Sequence, residues 1–558
     1  MHETLTTIPT EDTEQRAPLP PLGRERVWRT EIPHLVILTF LCLTLFFFNL
    51  GSRPLWDIDE GMHAATSKDM VLTGDWITPK LNGENFYDKP ILYNWLAAVS
   101  FLVFGFTAFA ARLPAALLGL GSVMVTYLLG RRIGGPTLGL LSGVALATNI
   151  EFIILSRNVI HDISLAFFVT LALVSFYRAF ASEKQRTALL LLFYVSCGFA
   201  VLAKGPLGLL LPALVIGLFL IIKRRLAFIR EMKMGWGVLV FLAVAAPWYV
   251  LISLKNSDYG YYFFIEQNLM RFLSPEAHHS QPFYYYFPVL LGGFLPWSWA
   301  LPLALVRSFR KGLRNMPEGT LFVTLWFAVV FVFFSTASSK LSTYILPLFP
   351  AASLLVGMLW QELLETPTPA LHRGVLLSFL PLVGILLGAV FYFQIHPFGE
   401  LQSGFGVDLD RLNALLLLLL GGAGAALFLL FTRSYRAFFG TSAGLMALAF
   451  LFIVVAILPS VNPYRSTRGL AQELDRLVPP GEKLVFFEKL KDSALFYTDR
   501  KALVLDTPQQ LMDYLASPKR VFCIIEKESL DELEKLGQMP YVIDQEGDKL
   551  IISNRKPT

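Results

Sequence analysis

His34-Leu-Val-Ile-Leu-Thr-Phe-Leu-Cys-Leu-Thr-Leu-Phe-Phe-Phe-Asn-Leu50 is an apolar run, and Leu55-Trp56-Asp57-Ile58-Asp59-Glu60 follows it almost at once. A crossing helix takes ~20 mostly apolar residues, and runs of that kind recur from His34 to Pro459. Of 558 residues, 54% are hydrophobic and only 16% charged, which fits a polytopic α-helical membrane protein. Three carboxylates therefore stand where the chain has just left its first apolar run. They are either a solvated acid patch or an active-site group working on a substrate that also lives in the membrane.

Residues 1–30 read as a disordered cytoplasmic tail. They are polar and Pro-rich, lack the small-residue cleavage site of a signal peptide, and carry Arg24, Arg26 and Arg29 next to the first run. Short basic connections mark the inner face: Arg131-Arg132, Lys184 to Arg186, Lys223-Arg224-Arg225, Arg307 to Arg314, His372-Arg373 and Arg433 to Arg436. Apolar segments near 137–155, 160–181, 187–203, 206–222, 236–254, 284–306, 319–336, 342–360, 373–394, 412–431 and 440–458 alternate with them. The region 91–130 holds two runs where the charges allow one crossing. The segment 112–130 is taken as the span, and 91–107 as an amphipathic or half-inserted helix on the outer surface. About 13 spans result, with the N-terminus inside and the C-terminus outside.

The membrane part, 31–459, gives way to a different composition over 460–558. Short β-like runs (Lys483 to Phe487, Ala502 to Leu505, Val521 to Ile525, Lys549 to Ile552) alternate there with helical patterns at Arg468 to Leu477, Pro508 to Ala516 and Ser529 to Leu536. This predicts a small soluble C-terminal α/β domain. The net charge of +5 comes from clusters at helix ends and gives no reason to expect nucleic acid. Cys42 and Cys197 lie inside apolar runs and Cys523 near the C-terminus, so no disulfide is expected. Phosphate-binding glycine loops and zinc-type Cys/His spacings are absent, and no repeat of fixed period recurs.

Four cations fall in the outer loops, against the usual bias: Lys89, Lys204, Arg271 and Lys340, the last followed by Tyr344. Any one of them could be snorkelling to lipid headgroups. Together they suit the phosphate of a lipid, which Arg would hold with a bidentate fork. Asp57, Asp59, Glu60, Asp88 and Asp162 share that face, although Asp162 also fits a helix N-cap. Cations for a departing phosphate and acids for an incoming nucleophile describe group transfer from a phospholipid-like donor. Phe283 to Phe287, with Trp297 and Trp299, read as an interfacial aromatic belt, and His278-His279 as an exposed structural pair.

The motifs Arg53-Pro-Leu-Trp-Asp-Ile-Asp59-Glu60, Gly74-Asp75-Trp76, Tyr87-Asp88-Lys89-Pro90, Lys204-Gly205, Arg271-Phe272, Pro282-Phe-Tyr-Tyr-Tyr286, Leu295-Pro296-Trp297 and Lys340-Leu-Ser-Thr-Tyr344-Ile-Leu-Pro347 run in an order that resembles one family. It is that of the bacterial aminoarabinose transferases that modify lipid A. These are C-type glycosyltransferases, a group that also holds the protein O-mannosyltransferases. The resemblance implies an inner-membrane enzyme with a periplasmic site and a sugar donor on undecaprenyl phosphate. Asp59 falls on the family's catalytic acid. Lys89, Arg271 and Tyr344 fall on positions that hold the donor phosphate, and Lys204 and Asp162 on further functional positions. The expected catalytic group is therefore Asp59, Glu60 and Asp162, and the expected phosphate-binding group is Lys89, Lys204, Arg271, Lys340 and Tyr344.

Three departures accompany the resemblance. Met62-His63-Ala64-Ala65 stands where the family carries Arg-Tyr-Ala-Glu, Tyr-Asp-Lys-Pro replaces Phe-Glu-Lys-Pro, and Glu266-Gln267 replaces Glu-His. The last two touch a divalent-metal site proposed for the family. Asp88 remains a candidate ligand, but Gln267 is a poor zinc ligand, so the metal stays an open question; His278 or His279 could stand in. The implied partners are the undecaprenyl-phosphate sugar, a lipid A or protein acceptor, and membrane lipids. Within the same chemistry the alternative is protein O-glycosylation. A lipid-linked sugar transporter is a second alternative, although transporters are commonly built from repeats that this chain lacks.

Overall fold

Thirteen residues of helix span only ~20 Å, too little to cross a bilayer. On that criterion the two apolar runs of 91–130 part company. Leu92–Phe104 has 13 residues and stops at Gly105, whose φ of 73° leaves the helical region. Ala108–Gly134 has 27 residues; it begins on Thr107, whose side chain accepts from the Ala110 N–H, and ends beside Arg131 and Arg132. The expected division into one crossing and one shorter helix holds. The computed structural model describes residues 24–270, 279–310, 312–395, 406–535 and 540–556. Among these, nine helices are long and apolar enough to cross a membrane, and four apolar helices are shorter: Glu31–Phe47, Leu92–Phe104, Pro136–Ala147 and Leu207–Ile222. The chain is a polytopic helical membrane protein with a small C-terminal sheet domain.

Two expected spans are interrupted. The segment 137–155 divides into Pro136–Ala147 and Ile150–Leu155, and 284–306 into Tyr286–Gly293 and Leu301–Phe309. Pro296 removes a backbone donor and disfavours helix at Leu295, a local effect that averaged hydropathy hides. The interruptions satisfy one another: the Ile150 N–H donates to the Leu295 carbonyl at 3.0 Å, and Asn149 caps its own helix through the Phe152 N–H. Trp297 then inserts between them, its indole N–H donating to Thr148 Oγ1 at 3.0 Å and its ring stacked on Phe439. Trp297 and Trp299 are thus buried core residues and not the interfacial belt expected of them; Phe283 and Tyr284 are exposed.

The C-terminal sheet has the strand order Ala502–Leu505, Leu484–Phe487, Phe522–Glu526, Lys549–Ser553, Tyr541–Glu546. Its first three strands are parallel and the last two join antiparallel. The helices Arg468–Leu477, Pro508–Leu515 and Lys527–Lys535 match the expected ones. The edge strand Tyr541–Glu546 is mostly polar and the helix Asp492–Tyr497 has only six residues, so neither has a legible period.

That short helix docks on Asp59–Thr73, the helix opening the first long loop. Asp57 Oδ1 accepts from the Ser493 N–H at 2.7 Å, and its Oδ2 accepts from the Ser493 and Thr467 hydroxyls at 3.0 and 2.8 Å. Lys68 Nζ donates to the Phe496 carbonyl and pairs with Asp499. Gly61 sits in the contact: a Cβ there would lie 2.4 Å from the Ser493 nitrogen. Gly61→Ala should therefore cost roughly 1–3 kcal/mol, read as a lower unfolding temperature in detergent and faster proteolysis of the C-terminal domain. An unchanged melting curve would remove the close approach from the account.

Asp492 is buried at the same contact, and burial pushes its carboxyl up to about 7, with Asp57 and Asp59 adding to the rise. An unfolded Asp titrates near ~3.9. The folded chain thus keeps a proton that the unfolded chain has lost, so this contribution is full below the unfolded value and disappears as pH rises through the folded one. The unfolding temperature should fall between about pH 4 and about pH 7, and Asp492→Asn should flatten that slope. A slope identical in the variant would assign the pH dependence elsewhere.

Candidate active site

Chain ends meeting at one level of the bundle build the site. Asp59 is the first residue of Asp59–Thr73, Lys89 lies just before Leu92–Phe104, and Asp162 opens Asp162–Phe180. Lys204 closes Arg186–Lys204 before Gly205, whose φ of 67° turns the chain, and Tyr344 lies in the 3-10 turn Ser342–Leu348. Polar residues stand at these places because an apolar helix ends there.

Lys204 Nζ pairs with Asp162 Oδ1 and stands 3.9 Å from the centre of the Tyr344 ring, a cation–π contact. Asp162 Oδ2 accepts from the Thr343 hydroxyl at 3.2 Å. Lys89 Nζ pairs with Asp88 Oδ2 at 2.7 Å. Asp59, which is exposed, has its carboxyl raised above the ordinary range: burial of part of its surroundings comes first, opposed by Lys89 and aided by Asp162, Asp88 and Glu60. Among the described residues the polar end thus holds two lysines against three carboxylates. It closes a cavity of about 370 Å³ whose walls include Leu207, Leu210, Phe263 and Phe333. The cavity thus sets the Lys89 and Lys204 amines, each paired with a carboxylate, at one end and apolar side chains along its walls, a division that suits an amphipathic ligand.

The structure brings Asp59, Asp162, Lys89, Lys204 and Tyr344 together, and it engages two other expected residues elsewhere. Glu60 is buried and held bidentate by Arg112, with Nε–Oε1 and Nη2–Oε2 both 2.8 Å, while Arg53 and the Trp56 and Val159 N–H groups add further donors. Its carboxyl is driven down to about 2; burial alone would raise it, and the two guanidiniums overcome that. A carboxylate so saturated is an architectural group, not a proton acceptor. Lys340 is likewise buried, its Nζ donating to the Gln281 and Ala337 carbonyls, so it clamps the segment 279–282 to the turn before Tyr344. Arg271 and His278 lie outside the described residues.

For a divalent metal the donor set does not fit. Asp88 is committed to Lys89, Gln267 donates to the Tyr262 hydroxyl at 2.6 Å, and no three His, Cys, Asp or Glu side chains converge among the described residues. Thr343, which orients Asp162, carries no signal beyond its neighbour Tyr344. His63 and His161 meet edge to face with ring centres 4.4 Å apart, beneath Lys89. Burial, reinforced by Lys89, holds His63 down at about 4 and hence neutral; its place one turn after Asp59 was the available hint.

Residues 88–251 match the family model described as dolichyl-phosphate-mannose-protein mannosyltransferase. The fold matches a crystal structure of ArnT from Cupriavidus metallidurans bound to undecaprenyl phosphate, with a TM-score of 0.80 over 94% of this chain and 98% of that one, at 23% identity. An undecaprenyl phosphate-alpha-4-amino-4-deoxy-L-arabinose arabinosyl transferase of Aeromonas salmonicida (strain A449) is 34% identical over 337 residues, which is 59% of this chain and 61% of that protein. The enzyme of the same name from Pseudomonas paraeruginosa (strain DSM 24068 / PA7) is 32% identical over 454 residues, 79% of each chain. With that extent of shared sequence, the chain belongs to the undecaprenyl phosphate-alpha-4-amino-4-deoxy-L-arabinose arabinosyl transferase family.

Proposed function

We propose that the chain transfers a sugar of the 4-amino-4-deoxy-L-arabinose type from undecaprenyl phosphate to lipid A or another envelope acceptor. The site and the C-terminal domain would lie on the periplasmic face of a bacterial inner membrane. The observation that supports this reading is an apolar-walled cavity whose head end holds Lys89, Lys204 and Tyr344, with Asp59 close enough to Lys89, Asp88 and Asp162 to feel their charges. The acceptor hydroxyl attacks the anomeric carbon as the bond to the phosphate oxygen breaks; Asp59 takes the hydroxyl proton and undecaprenyl phosphate leaves with the electron pair. Lys89 would exchange Asp88 for the donor phosphate and stabilise the charge that develops there. Lys204 is held by Asp162 and the Tyr344 face, so it presents its charge at a set position.

Asp59→Asn should lower kcat by ~10²–10⁴-fold for transfer from radiolabelled undecaprenyl-phosphate aminoarabinose to lipid A, in purified protein that elutes as wild type. Transfer to protein and never to lipid A would move the acceptor assignment to protein glycosylation. An active Asp59→Asn would remove Asp59 from the chemistry.

A base must be ionised to act. Because the Asp59 carboxyl is raised by burial and neighbouring acids, activity should fall away on the acid side at a pH above the ordinary Asp value near ~3.9. An acid limb at or below that value would contradict the assignment.

A further inference from the structure

A second cavity, of about 390 Å³, shares no lining residue with the first. It lies where the first membrane helix ends, at Asn49 and Leu50, and where the last one ends, at Pro459 and Asn462, on the side of the bundle that carries Asp59. Ile150, Ile154, Phe450 and Val454 form its apolar wall. Ile154 and Val455 are exposed, so that wall opens sideways onto the membrane.

Its polar end is built from buried guanidiniums. Arg112 is saturated by Glu60 and by the Leu50, Arg53 and Pro54 carbonyls. Arg53 lies over Trp56 at 4.1 Å and donates to Glu60 and Asn158. Arg157, also buried, donates one N–H to the Leu45 carbonyl and lies against Phe450; no carboxylate among the described residues pairs with it. Three positive charges thus share one carboxylate where water is largely excluded, an arrangement that calls for an anion. Both Arg53 and Arg157 are pulled down in pKa, by burial first and then by the neighbouring guanidiniums, as an excess of positive charge requires.

We propose that this cavity binds the phosphate headgroup of an anionic membrane lipid, with the phosphate between Arg53 and Arg157 and an acyl chain along Ile154, Phe450 and Val454. The guanidinium fork matches a phosphate's oxygens better than it matches a halide or a neutral amide. The open apolar wall selects a lipid over a soluble anion. The site is separate from the donor cavity and does not depend on which sugar or acceptor the chain uses.

The full chain in a non-ionic detergent is titrated with dioctanoyl phosphatidic acid, with dioctanoyl phosphatidylcholine and inorganic phosphate as comparators, binding being followed by thermophoresis. The expected result is saturable binding of phosphatidic acid, at least ~10-fold tighter than either comparator. Arg157→Gln should weaken it by ~10-fold or more. Ile154→Trp, which fills the wall and leaves every charge in place, should weaken it as well. Lys89→Ala, in the first cavity, should leave unchanged the component of binding that Arg157→Gln and Ile154→Trp weaken. Should Arg157→Gln fail to fold, the wall variant decides. Equal binding of inorganic phosphate would make this a soluble-anion site, and equal binding of phosphatidylcholine would remove the role of charge. Binding that survives both Arg157→Gln and Ile154→Trp, or none in the wild type, would overturn the proposal.

Discussion

The Glu60–Arg112 pair holds in register the end of the bundle that carries Asp59. Glu60 is the residue after Asp59, and Arg112 belongs to the 27-residue helix Ala108–Gly134. The carboxylate also collects N–H groups from Trp56 and Val159, so the first loop, that long helix and the turn before Asp162 converge on one anion. Arg112 in turn closes the chain between Leu50 and Pro54 through three carbonyls. A buried pair of this kind is weak evidence of net stability, because desolvation offsets much of its attraction. It does specify one geometry, because removing either partner leaves the other charge buried and unmet. Asp59 takes its place near Lys89 and Asp162 because the next residue is pinned.

The C-terminal domain pins the other side. Asp57 takes three hydrogen bonds from Ser493 and Thr467, and Trp56 donates to Asn462. The stretch 56–60 is therefore held from the membrane helices through Glu60 and from the sheet domain through Asp57, with Asp59 between the two anchors. The sheet domain thereby contributes to the placement of an acid to which it supplies no ligand of its own. The second cavity is lined by Arg53 and Trp56 at the start of this stretch, and the first by Lys89 and Lys204.

Much of this could be read from the chain, and the limits have physical causes. Lys89, Lys204, Asp162 and Tyr344 were legible because a polar residue at the end of an apolar run has few places to be except the headgroup level. Four of the five sheet strands and three helices of the C-terminal domain were legible from period and from β-branched content. The roles of Glu60 and Lys340 were not. Each meets partners far along the chain, Arg112 in one case and the Gln281 carbonyl in the other, and residue type does not say whether a charge faces a ligand or a neighbour. The breaks at Thr148 and Leu295 were hidden for a related reason: a window of average hydropathy sees apolar residues on both sides and passes over the backbone.

Those paired breaks also bear on how the chain is made. The Ile150 amide finds its acceptor only in Leu295, and Trp297 settles on Thr148 only when both are present. During synthesis the earlier segment emerges first, carrying a backbone donor that a bilayer interior cannot satisfy. The peptide hydrogen bond that satisfies that donor joins the earlier helix to a partner made much later, so the packing of this half of the bundle is complete only once both segments are present.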